Sequence, residues 1–576
     1  MDKILKVNTR TNDIRWQACS ADALRLGGRS LIAHLALMEI DPNCDPLGHR
    51  NKFILAAGLL GDTNVTTAGR YSVGGKSPLT GGVKEASVGG SAGRRMARLG
   101  LRAVVLEDVP DNPQTKILVV SKDKAEIITA PEYKNLAVSA SLHRLRDQFG
   151  EDAGAICVGP AGEMTMAGAG VATTDKTGVQ IRFAGRGGMG AVMGSKGIKA
   201  IVFDDTGASP AEFYDRKALN AANKKLVQLL MDDPKTENRH NYGTPAVLAV
   251  CNALGILPTR NFSEGQFDQV DAISGETIAE LIDQRGGMGR KGQPCIEGCV
   301  IQCSNVFPDP EGQATVASLQ YENIALLGSN CGISDIDAIA ELNSLCNEVG
   351  LDAIETGAAI GVAMEAGVIP FGDAHGAKDL IRQALQGTPL GRVIGNGVVI
   401  TGKVFGVRRV PAVRGQAIPA YDPRSLKGIG VTYVTSPMGA DHTAGNALEL
   451  ASSMDPRSPE GQVEASRQLQ LRAAILDSLG VCLFIRPAFV KKPDLFAELL
   501  NARHAFNLTF EDVQQMGVQC LATERAFNKK AGLNTERCDV PEFMRYEPLP
   551  PYNTVFDISN AEMKKIWTVE PIQNQF

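Results

Sequence analysis

The 576-residue sequence lacks the long apolar runs and the excess of one charge sign that mark membrane proteins and nucleic-acid-binding proteins. No window reaches about 18 uninterrupted apolar residues, the length that a transmembrane helix needs. The N-terminal stretch MDKILKVNTRTNDIRW has no cationic segment followed by an apolar one, so we expect no secretion signal. With a net charge of −5 and scattered Lys and Arg residues, we expect no nucleic-acid partner and no membrane insertion.

A disulfide framework is not expected either, because these features indicate a cytoplasmic protein in which thiols stay reduced. Three of the twelve cysteines, Cys295, Cys299 and Cys303, stand at every fourth position in GQPCIEGCVIQC. Thiolates at this spacing suit the loop of an iron-sulfur cluster, which would need a further ligand from elsewhere. The alternative is the buried seam of one helix, since free Cys packs as a small hydrophobe. Pro294 and Gly298 favour the loop, because both disrupt helices.

The spacing of apolar residues changes along the chain. In residues 1–205, short apolar runs such as KFILAAG, RAVVLED, TKILVVS and KAIVFDD alternate with glycine-rich turns, which predicts a sheet-rich domain. Residues 206–410 have longer segments of helical period, and helical period resumes within 411–576 after a proline-containing passage. We therefore predict an α+β protein with a sheet-rich first domain followed by two mainly helical domains.

One short pattern occurs twice. NEVGLD runs from Asn347 to Asp352, and DSLGVC runs from Asp477 to Cys482. Each glycine permits a left-handed helix end, and each carboxylate or amide can hydrogen-bond a heterocycle. The pair suggests equivalent sites for a ligand present in two copies, although such turns are also common as ordinary helix ends.

Two glycine-dense stretches, 69–96 and 182–203, combine bare backbone amides with Arg70, Lys76, Arg182 and Arg186. Such loops can cradle phosphate. Neither is a Walker loop or a dinucleotide fingerprint. Ordinary turns of a β domain are the alternative interpretation.

Together these motifs resemble the aldehyde ferredoxin oxidoreductase family, tungsten enzymes with a bis-pyranopterin cofactor. The markers are VNTRTNDI, GRYSV followed by KSPLTG, AGRGGMGAVMGSKGIKAI, QYENIALLGSNCGI, CNEVGLD, IPAYDPR and DSLGVCLF, in that order up to about residue 556. The resemblance implies a sheet-rich base for the pterins with two largely helical domains above it.

The resemblance also implies a set of cofactors and their ligands. A [4Fe-4S] cluster would be held by Cys295, Cys299, Cys303 and Cys482, and Mg²⁺ would bridge the pterin phosphates through carbonyl groups near Ser87 and Phe183. The implied cofactor-binding positions are Arg70, Ser87, Gly89, Gly90, Arg182, Phe183, Gly185, Arg186, Asn347, Gly350, Leu351, Asp352, Asp477, Gly480 and Val481. Tungsten and molybdenum are both open, because both take dithiolene sulfur.

The implied reaction is oxidation of an aldehyde to a carboxylic acid, with electrons leaving through the cluster to ferredoxin or an iron-sulfur subunit. The catalytic candidates are Glu322 as proton acceptor, His442 as hydrogen-bond donor or proton shuttle, and Tyr321 for substrate orientation. Without the resemblance, Glu322 would be interpreted as a surface or helix carboxylate and His442 as an ordinary loop histidine.

Departures from the family pattern limit what carries over. Three residues instead of two separate Cys295 from Cys299, and Asn347 stands where the family usually has Asp. Ser344 replaces the histidine of the Glu-x-x-His motif that joins some members through an iron, so a homodimer, if formed, would lack that iron. The alternatives to aldehyde oxidation are an aromatic acyl-CoA reductase of the same family and an iron-sulfur electron carrier with a silent pterin site.

Overall fold

The structure, a computed structural model, describes residues 3–112, 114–209, 211–533 and 538–567; residues 1–2 and 568–576 of the predicted first and third domains lie outside it. Two six-stranded sheets occupy the first part of the chain, in the orders β2-β1-β6-β3-β4-β5 and β11-β10-β9-β12-β7-β8. Their strands are β1 (Lys3–Asn8), β2 (Ile14–Ala18), β3 (Phe53–Ala57), β4 (Tyr71–Lys76), β5 (Val83–Val88), β6 (Leu101–Glu107), β7 (Lys116–Val120), β8 (Ala125–Thr129), β9 (Gly154–Cys157), β10 (Val171–Thr174), β11 (Ile181–Ala184) and β12 (Ile198–Phe203).

The apolar runs that predicted strands form β3, β6, β7 and β12. Strand β3 is buried at every position because both of its faces are covered. One face of the first sheet packs against the second sheet through a core that includes Leu55, Val104, Ile156 and Ile201. Five helices accompany the sheets: α1 (Gly28–Glu39), α2 (Ala92–Arg98), α3 (Val138–Phe149), α4 (Pro160–Glu163) and α5 (Met189–Ser195).

The remainder of the described chain is mainly helical. It contains α6 (Arg216–Met231), α7 (Pro234–Tyr242), α8 (Leu248–Ala253), α9 (Gly275–Arg285), α10 (Tyr321–Leu327), α11 (Ile336–Val349), α12 (Ala353–Glu365), α13 (Ala374–Gln386), α14 (Pro389–Gly395), α15 (Val398–Phe405), α16 (Lys427–Thr435), α17 (Gln462–Leu479), α18 (Arg486–Lys491), α19 (Asp494–His504), α20 (Phe510–Lys530), α21 (Glu542–Tyr546) and α22 (Asn560–Met563). Short strands β13 (Arg290–Gln293), β14 (Ser304–Pro308) and β15 (Ala314–Val316) form a small sheet, and β16 (Ala412–Val413) pairs with β17 (Gln416–Ala417).

The predicted α+β class, with a sheet-rich N-terminal part followed by helices, is confirmed. A single hydrophobic core joins residues on both sides of position 410, such as Ile354 and Tyr433. The domain limits at 205 and 410 stay predictions. Among the described residues, no helix combines the length and the apolar character of a membrane-spanning segment.

Candidate active site

Three of the four predicted cluster cysteines lie in the loop between β13 and β14. Residues 294–303 are not helical, so these cysteines do not form a helix seam. Gly298 and Gln302 have φ angles of 78° and 50°, left-handed values that bend the loop. The loop interpretation of the thiol spacing is the one that the structure supports.

The fourth predicted ligand, Cys482, approaches this loop from the end of α17. Burial, and then the charges of Cys295 and Cys482, raise the pKa of the Cys299 thiol to about 12. The pKa of the Cys303 thiol is raised first by burial and then by the three other thiols. The structure therefore brings Cys482, which is distant in sequence, close to the three thiols of the loop.

These thiols fit an iron-sulfur cluster better than a single metal ion. Within the described residues, no group of three or more His, Cys, Asp or Glu side chains is arranged so that it could hold a single metal ion. A [4Fe-4S] cluster does not require such convergence, because its irons are each held by a separate thiolate. Burial disfavours free thiolates, so a cluster that stabilises them suits this donor set.

Two glycines of the predicted phosphate-binding stretch lie directly against the thiol loop. The amide of Gly90 donates to the carbonyl oxygen of Cys295 at 2.9 Å. A Cβ on Gly89 would lie 3.2 Å from both the Sγ and the carbonyl oxygen of Cys295. Glycine at these positions lets β5 and the thiol loop approach each other closely.

The first predicted pterin turn closes α11. Gly350 adopts φ +83°, and its amide donates to the carbonyl oxygen of Asn347 at 3.1 Å. The amide of Leu351 donates to the carbonyl oxygen of Cys346 at 2.9 Å. Asp352 then opens α12, where one carboxylate oxygen caps the amide of Ile354 at 3.0 Å. This is a left-handed helix end, as the sequence predicts.

The second turn repeats this geometry at the end of α17. Gly480 adopts φ +72°, and its amide donates to the backbone carbonyl oxygen of Asp477. The amide of Val481 donates to the backbone carbonyl oxygen of Leu476. The buried carboxylate of Asp477 lies 3.5 Å from Arg29, and burial raises the pKa of Asp477 to about 6.

Each turn packs on an equivalent glycine of the sheet region. A Cβ on Gly350 would lie 2.9 Å from the Cα of Gly159, which follows β9, and a Cβ on Gly480 would lie 2.7 Å from the Cα of Gly58, which follows β3. The carbonyl oxygen of Gly480 accepts from the amide of Arg70 at 3.1 Å. The repeated sequence pattern therefore corresponds to repeated tertiary packing.

Arg70 lies between the second turn and the thiol loop. Its Nε donates to the hydroxyl of Ser87 at 3.0 Å, and its Nη2 donates to the carbonyl oxygen of Ser87 at 2.9 Å. Burial lowers the pKa of Arg70, but the charges of Cys482, Cys295 and Asp477 outweigh this and raise it. The guanidinium is thus placed to neutralise an anion bound at the second turn or at the thiol loop.

Arg182 and Phe183 belong to strand β11. The Nη1 of Arg182 donates to the hydroxyl of Ser304 at 3.3 Å. Gly185 follows the strand, and a Cβ there would lie 3.6 Å from a carboxylate oxygen of Asp352. Gly185 therefore borders the first turn, whereas Arg182 contacts the strand that follows the thiol loop.

Arg186 has donor atoms without partners. Its Nε lies 3.3 Å from a carboxylate oxygen of Asp352, and its Nη2 donates to the carbonyl oxygen of Ala417 at 2.7 Å. The buried Nη1 has no hydrogen-bond partner in the described part of the chain. Because buried guanidinium groups are normally satisfied, this donor fits the predicted binding of a polyanionic cofactor.

The three catalytic candidates meet at the start of α10. The Oε1 of Glu322 lies 3.4 Å from the Nδ1 of His442, and its Oε2 accepts from the amide of Ala420 at 2.9 Å. The hydroxyl of Tyr321 donates to the carbonyl oxygen of Ala420 at 2.5 Å. Burial raises the pKa of Glu322, even though His442 opposes the shift. Tertiary contacts therefore bring together residues more than 100 positions apart.

A charged pair beside His442 was not predicted. Lys84 on β5 is fully buried and contacts the carboxylate of Asp441. Burial would raise the pKa of Asp441, but the positive charges of Lys84 and Arg186 hold it well below its usual range. The other carboxylate oxygen accepts from the amide of Thr443 at 3.0 Å. The clue in the sequence was a lysine within the glycine-dense stretch 69–96, which by itself does not indicate a partner.

A sheet-rich region, two equivalent helix-end turns, a three-thiol loop near a fourth cysteine and a close contact between Glu322 and His442 are together typical of a redox protein that binds cofactors. Residues 4–205 match the family model described as aldehyde ferredoxin oxidoreductase, N-terminal domain, and residues 221–566 match aldehyde ferredoxin oxidoreductase, domains 2 & 3. The chain belongs to the aldehyde ferredoxin oxidoreductase family and is an oxidoreductase. Membership implies a tungsten pterin cofactor.

Relatives cover nearly the whole chain. The tungsten-containing aldehyde ferredoxin oxidoreductase of Pyrococcus furiosus is 32% identical over 95% of this chain and 92% of its own length. The protein of the same name in Thermococcus kodakarensis is 31% identical over the same shares. The active site complex BamBC of benzoyl coenzyme A reductase shares the fold, with a TM-score of 0.79 and 17% identity over 98% of this chain and 93% of its own.

Proposed function

We propose that this protein oxidises aldehydes to carboxylic acids at the Glu322–His442 pair and passes the electrons through a [4Fe-4S] cluster to ferredoxin or an iron-sulfur subunit. The observation that carries the proposal is the buried Glu322 carboxyl with a raised pKa, whose Oε1 faces the Nδ1 of His442 at 3.4 Å. A base with a pKa nearer to neutral accepts protons efficiently at working pH.

The reaction balances as R-CHO + H₂O → R-COOH + 2H⁺ + 2e⁻. The amide of Ala420 holds the Oε2 of Glu322 and so orients the carboxylate. Its Oε1, which has no hydrogen-bond partner among the described residues, is the atom that receives a proton from water or substrate. His442 donates a hydrogen bond to the oxygen that develops negative charge.

Aromatic rings border this pair. The ring of Tyr421 lies 5.1 Å from the ring of Tyr321 and 5.8 Å from that of His442, centroid to centroid. Because the Tyr321 hydroxyl already donates to a carbonyl, its role is to position its ring and helix α10. The Oε1 of Glu322 and the Nδ1 of His442 are themselves buried, and the low local dielectric strengthens their electrostatic interaction.

The chain supplies ligands for each cofactor. Asn347, Asp352 and Asp477 would bind the pterins, Arg70, Arg182 and Arg186 their phosphates, and Cys295, Cys299, Cys303 and Cys482 the cluster. When bound, the tungsten pterin supplies the acceptor for the two substrate electrons. For Mg²⁺, the carbonyl of Ser87, which accepts a hydrogen bond from Arg70, would be one ligand through its second lone pair.

Assembly is expected without a bridging iron. Glu341 pairs with Lys378 at 2.7 Å, and Ser344 provides no imidazole. The electron acceptor would bind near Cys482, whose loop lies at the border of the cluster site.

The test is anaerobic purification followed by elemental and pterin analysis and an aldehyde screen with a viologen acceptor. The proposal predicts one W or Mo, about four Fe and two pterins per chain, together with aldehyde-dependent reduction of the viologen. Metal and pterin without aldehyde turnover, but with turnover of an aromatic acyl-CoA, would assign the reductase function instead. Iron without W, Mo or pterin would support an electron carrier.

A further inference from the structure

The connection between β3 and β4, residues 58–70, is a buried loop. All of its residues are buried except Asn64, which is exposed, and Arg70, which is half-buried. Loops normally run over the surface, and a loop of this length outside helices and strands usually has a function. Of these residues, only Arg70 is a predicted cofactor-binding residue. The burial of the others therefore needs an explanation of its own.

One side of the β3–β4 loop binds the segment that leads to Cys482. The amides of residues 59–60 donate in turn to the carbonyl oxygens of residues 478–479, at 3.2 and 3.0 Å. Further along the loop, the hydroxyl oxygen of Thr67 accepts a hydrogen bond from the amide of Cys482 itself at 3.4 Å. Together with the hydrogen bond from the amide of Arg70 described above, these contacts hold the Cys482 segment along its length.

The other side of the β3–β4 loop binds the thiol loop. The hydroxyl of Thr66 donates to the carbonyl oxygen of Gly298 at 3.0 Å and accepts from the amide of Val300 at 3.2 Å. Gly298 and Val300 flank Cys299 in the sequence. A single buried threonine side chain therefore holds the backbone on both sides of one proposed cluster ligand.

Arg94 of α2 strengthens this contact. Its Nη2 donates to the carbonyl oxygens of Thr63, in the β3–β4 loop, and Glu297, in the thiol loop, at 3.3 and 3.2 Å. Its Nη1 donates to the Glu297 carboxylate at 3.0 Å. Glu297 is one of the three residues between Cys295 and Cys299, a spacing one residue longer than the family pattern. The β3–β4 loop is therefore joined to the part of the thiol loop in which this chain departs from that pattern.

The backbone between the two contacts is strained. Thr67 adopts φ 64°, a left-handed value that is rare for a β-branched residue. Such strain persists only where surrounding contacts fix the residue, and it occurs most often at functional sites. The neighbouring Thr66 is fixed in this way, since its amide donates to the Oδ1 of Asn223 at 2.9 Å and its hydroxyl makes the two hydrogen bonds to the thiol loop. Adjacent hydroxyls thus contact two ligand segments that are far apart in sequence.

We propose that the β3–β4 loop sets the separation between the two segments that carry the cluster ligands, with Thr66 and Thr67 as positioning residues. Thr66 holds the segment of Cys299, and Thr67 holds that of Cys482. This inference rests on the [4Fe-4S] assignment within the proposed function. The relative position of the two segments determines how well the thiolates fit one cluster, while hydrogen bonding and solvent exposure around the sulfur atoms set its potential.

An alternative role for the threonine hydroxyls is to bind the phosphate of a cofactor. A hydroxyl has one proton to donate. The proton of the Thr66 hydroxyl is already used in the hydrogen bond to Gly298. Because phosphate oxygens need a donor, Thr66 is not available to a phosphate, and its substitution separates positioning of the ligands from binding of an anion.

The first experiment measures how fast the anaerobically purified holoenzyme releases iron to a chelator. Thr66→Val keeps the shape of the side chain but removes both hydrogen bonds, so we expect iron release to be about 10-fold faster. Thr66→Ser retains the hydroxyl and should restore the wild-type rate. Thr401→Val is the matched control, because Thr401 is buried on α15 and its hydroxyl donates to the carbonyl oxygen of Gly397 at 2.9 Å. A wild-type rate in Thr66→Val, or equal acceleration in Thr401→Val, would overturn the proposal.

The second experiment measures the midpoint potential and the EPR spectrum of the reduced cluster, which a general loss of stability would not change. Both should shift in Thr66→Val and in Thr67→Gly and stay unchanged in Thr401→Val. Thr67→Gly also relieves the left-handed strain, because glycine adopts positive φ freely. Faster iron release from this relaxed variant would support the positioning role. Unchanged potentials and spectra in both Thr66→Val and Thr67→Gly would contradict it.

The outcomes separate the role of the loop from the proposed reaction. Faster iron release in Thr66→Val, in an enzyme that oxidises no aldehyde, would support the positioning role and reject aldehyde oxidation. Aldehyde oxidation by a wild type whose cluster does not respond to Thr66→Val would reject the positioning role alone. A matured wild type without an iron-sulfur cluster would reject both.

Discussion

Lys84 and Asp441 form a fully buried ion pair that joins strand β5 of the sheet region to the turn carrying His442. Asp441 also accepts a hydrogen bond from the amide of Thr443, so it orients the turn on both sides of the histidine. The ion pair therefore links the sheet region, which would carry the cofactor, to the turn that contains His442.

Lys84→Met should destabilise the protein by about 3–5 kcal/mol, because it leaves a buried carboxylate without its closest partner. We expect a lower melting temperature and reduced kcat as the His442 turn loosens. The double variant Lys84→Met/Asp441→Asn removes both charges and should recover most of the stability. A double variant no more stable than Lys84→Met would contradict this account of the pair.

Glu322→Gln should lower turnover by about 10²- to 10⁴-fold, the effect of a lost acid-base group, while W, Fe and pterin contents stay unchanged. Burial raises the pKa of Glu322, so the carboxyl is still protonated at pH values where an ordinary Glu, with a pKa of about 4.3, is ionised. Turnover by the wild type should therefore rise with pH along a limb above that value. The limb should be missing in Glu322→Gln.

Glu341→Gln is the matched control for this pH profile, since Glu341 is half-exposed on α11 and pairs with Lys378. It should keep the wild-type rate and profile. A normal rate in Glu322→Gln would remove Glu322 from the mechanism.

Cys482→Ala should deplete iron and sulfide and stop electron delivery to the external acceptor, because one cluster ligand is lost. Cys331→Ala provides the comparison: Cys331 is also buried, but in a hydrophobic core that includes Cys346 and none of the four proposed cluster ligands. Its substitution should lower stability without changing iron content. Full iron content and turnover in Cys482→Ala would reject the ligand assignment.

Gly480→Ala should be more destabilising than Gly100→Ala, although both glycines have nearly the same φ, 72° and 75°. A Cβ at Gly480 would lie 2.7 Å from the carbonyl oxygen of Arg70, whereas one at Gly100 would meet nothing within 4 Å. Gly100→Ala therefore measures backbone strain alone, about 1–2 kcal/mol.

The difference between the two melting temperatures reports how tightly the second turn packs on the sheet region, and pterin content should fall in Gly480→Ala only. Equal destabilisation of both variants would show that the turn can move away without cost.

The sequence by itself determined the local features of this protein. Spacing and helix breakers indicated that Cys295, Cys299 and Cys303 lie in a loop, and the glycines at 350 and 480 marked left-handed helix ends, because these depend on near neighbours in the chain. Apolar runs likewise indicated β3, β6, β7 and β12. The catalytic candidates Glu322 and His442 came from the family resemblance and not from spacing.

Only the tertiary structure decided which distant residues meet. The contact between Lys84 and Asp441 and the packing of Gly480 on Gly58 join residues far apart in sequence. A pattern of neighbouring residues contains no information on the partner that a buried charge needs. Burial makes such a partner necessary, and the fold alone determines which residue provides it.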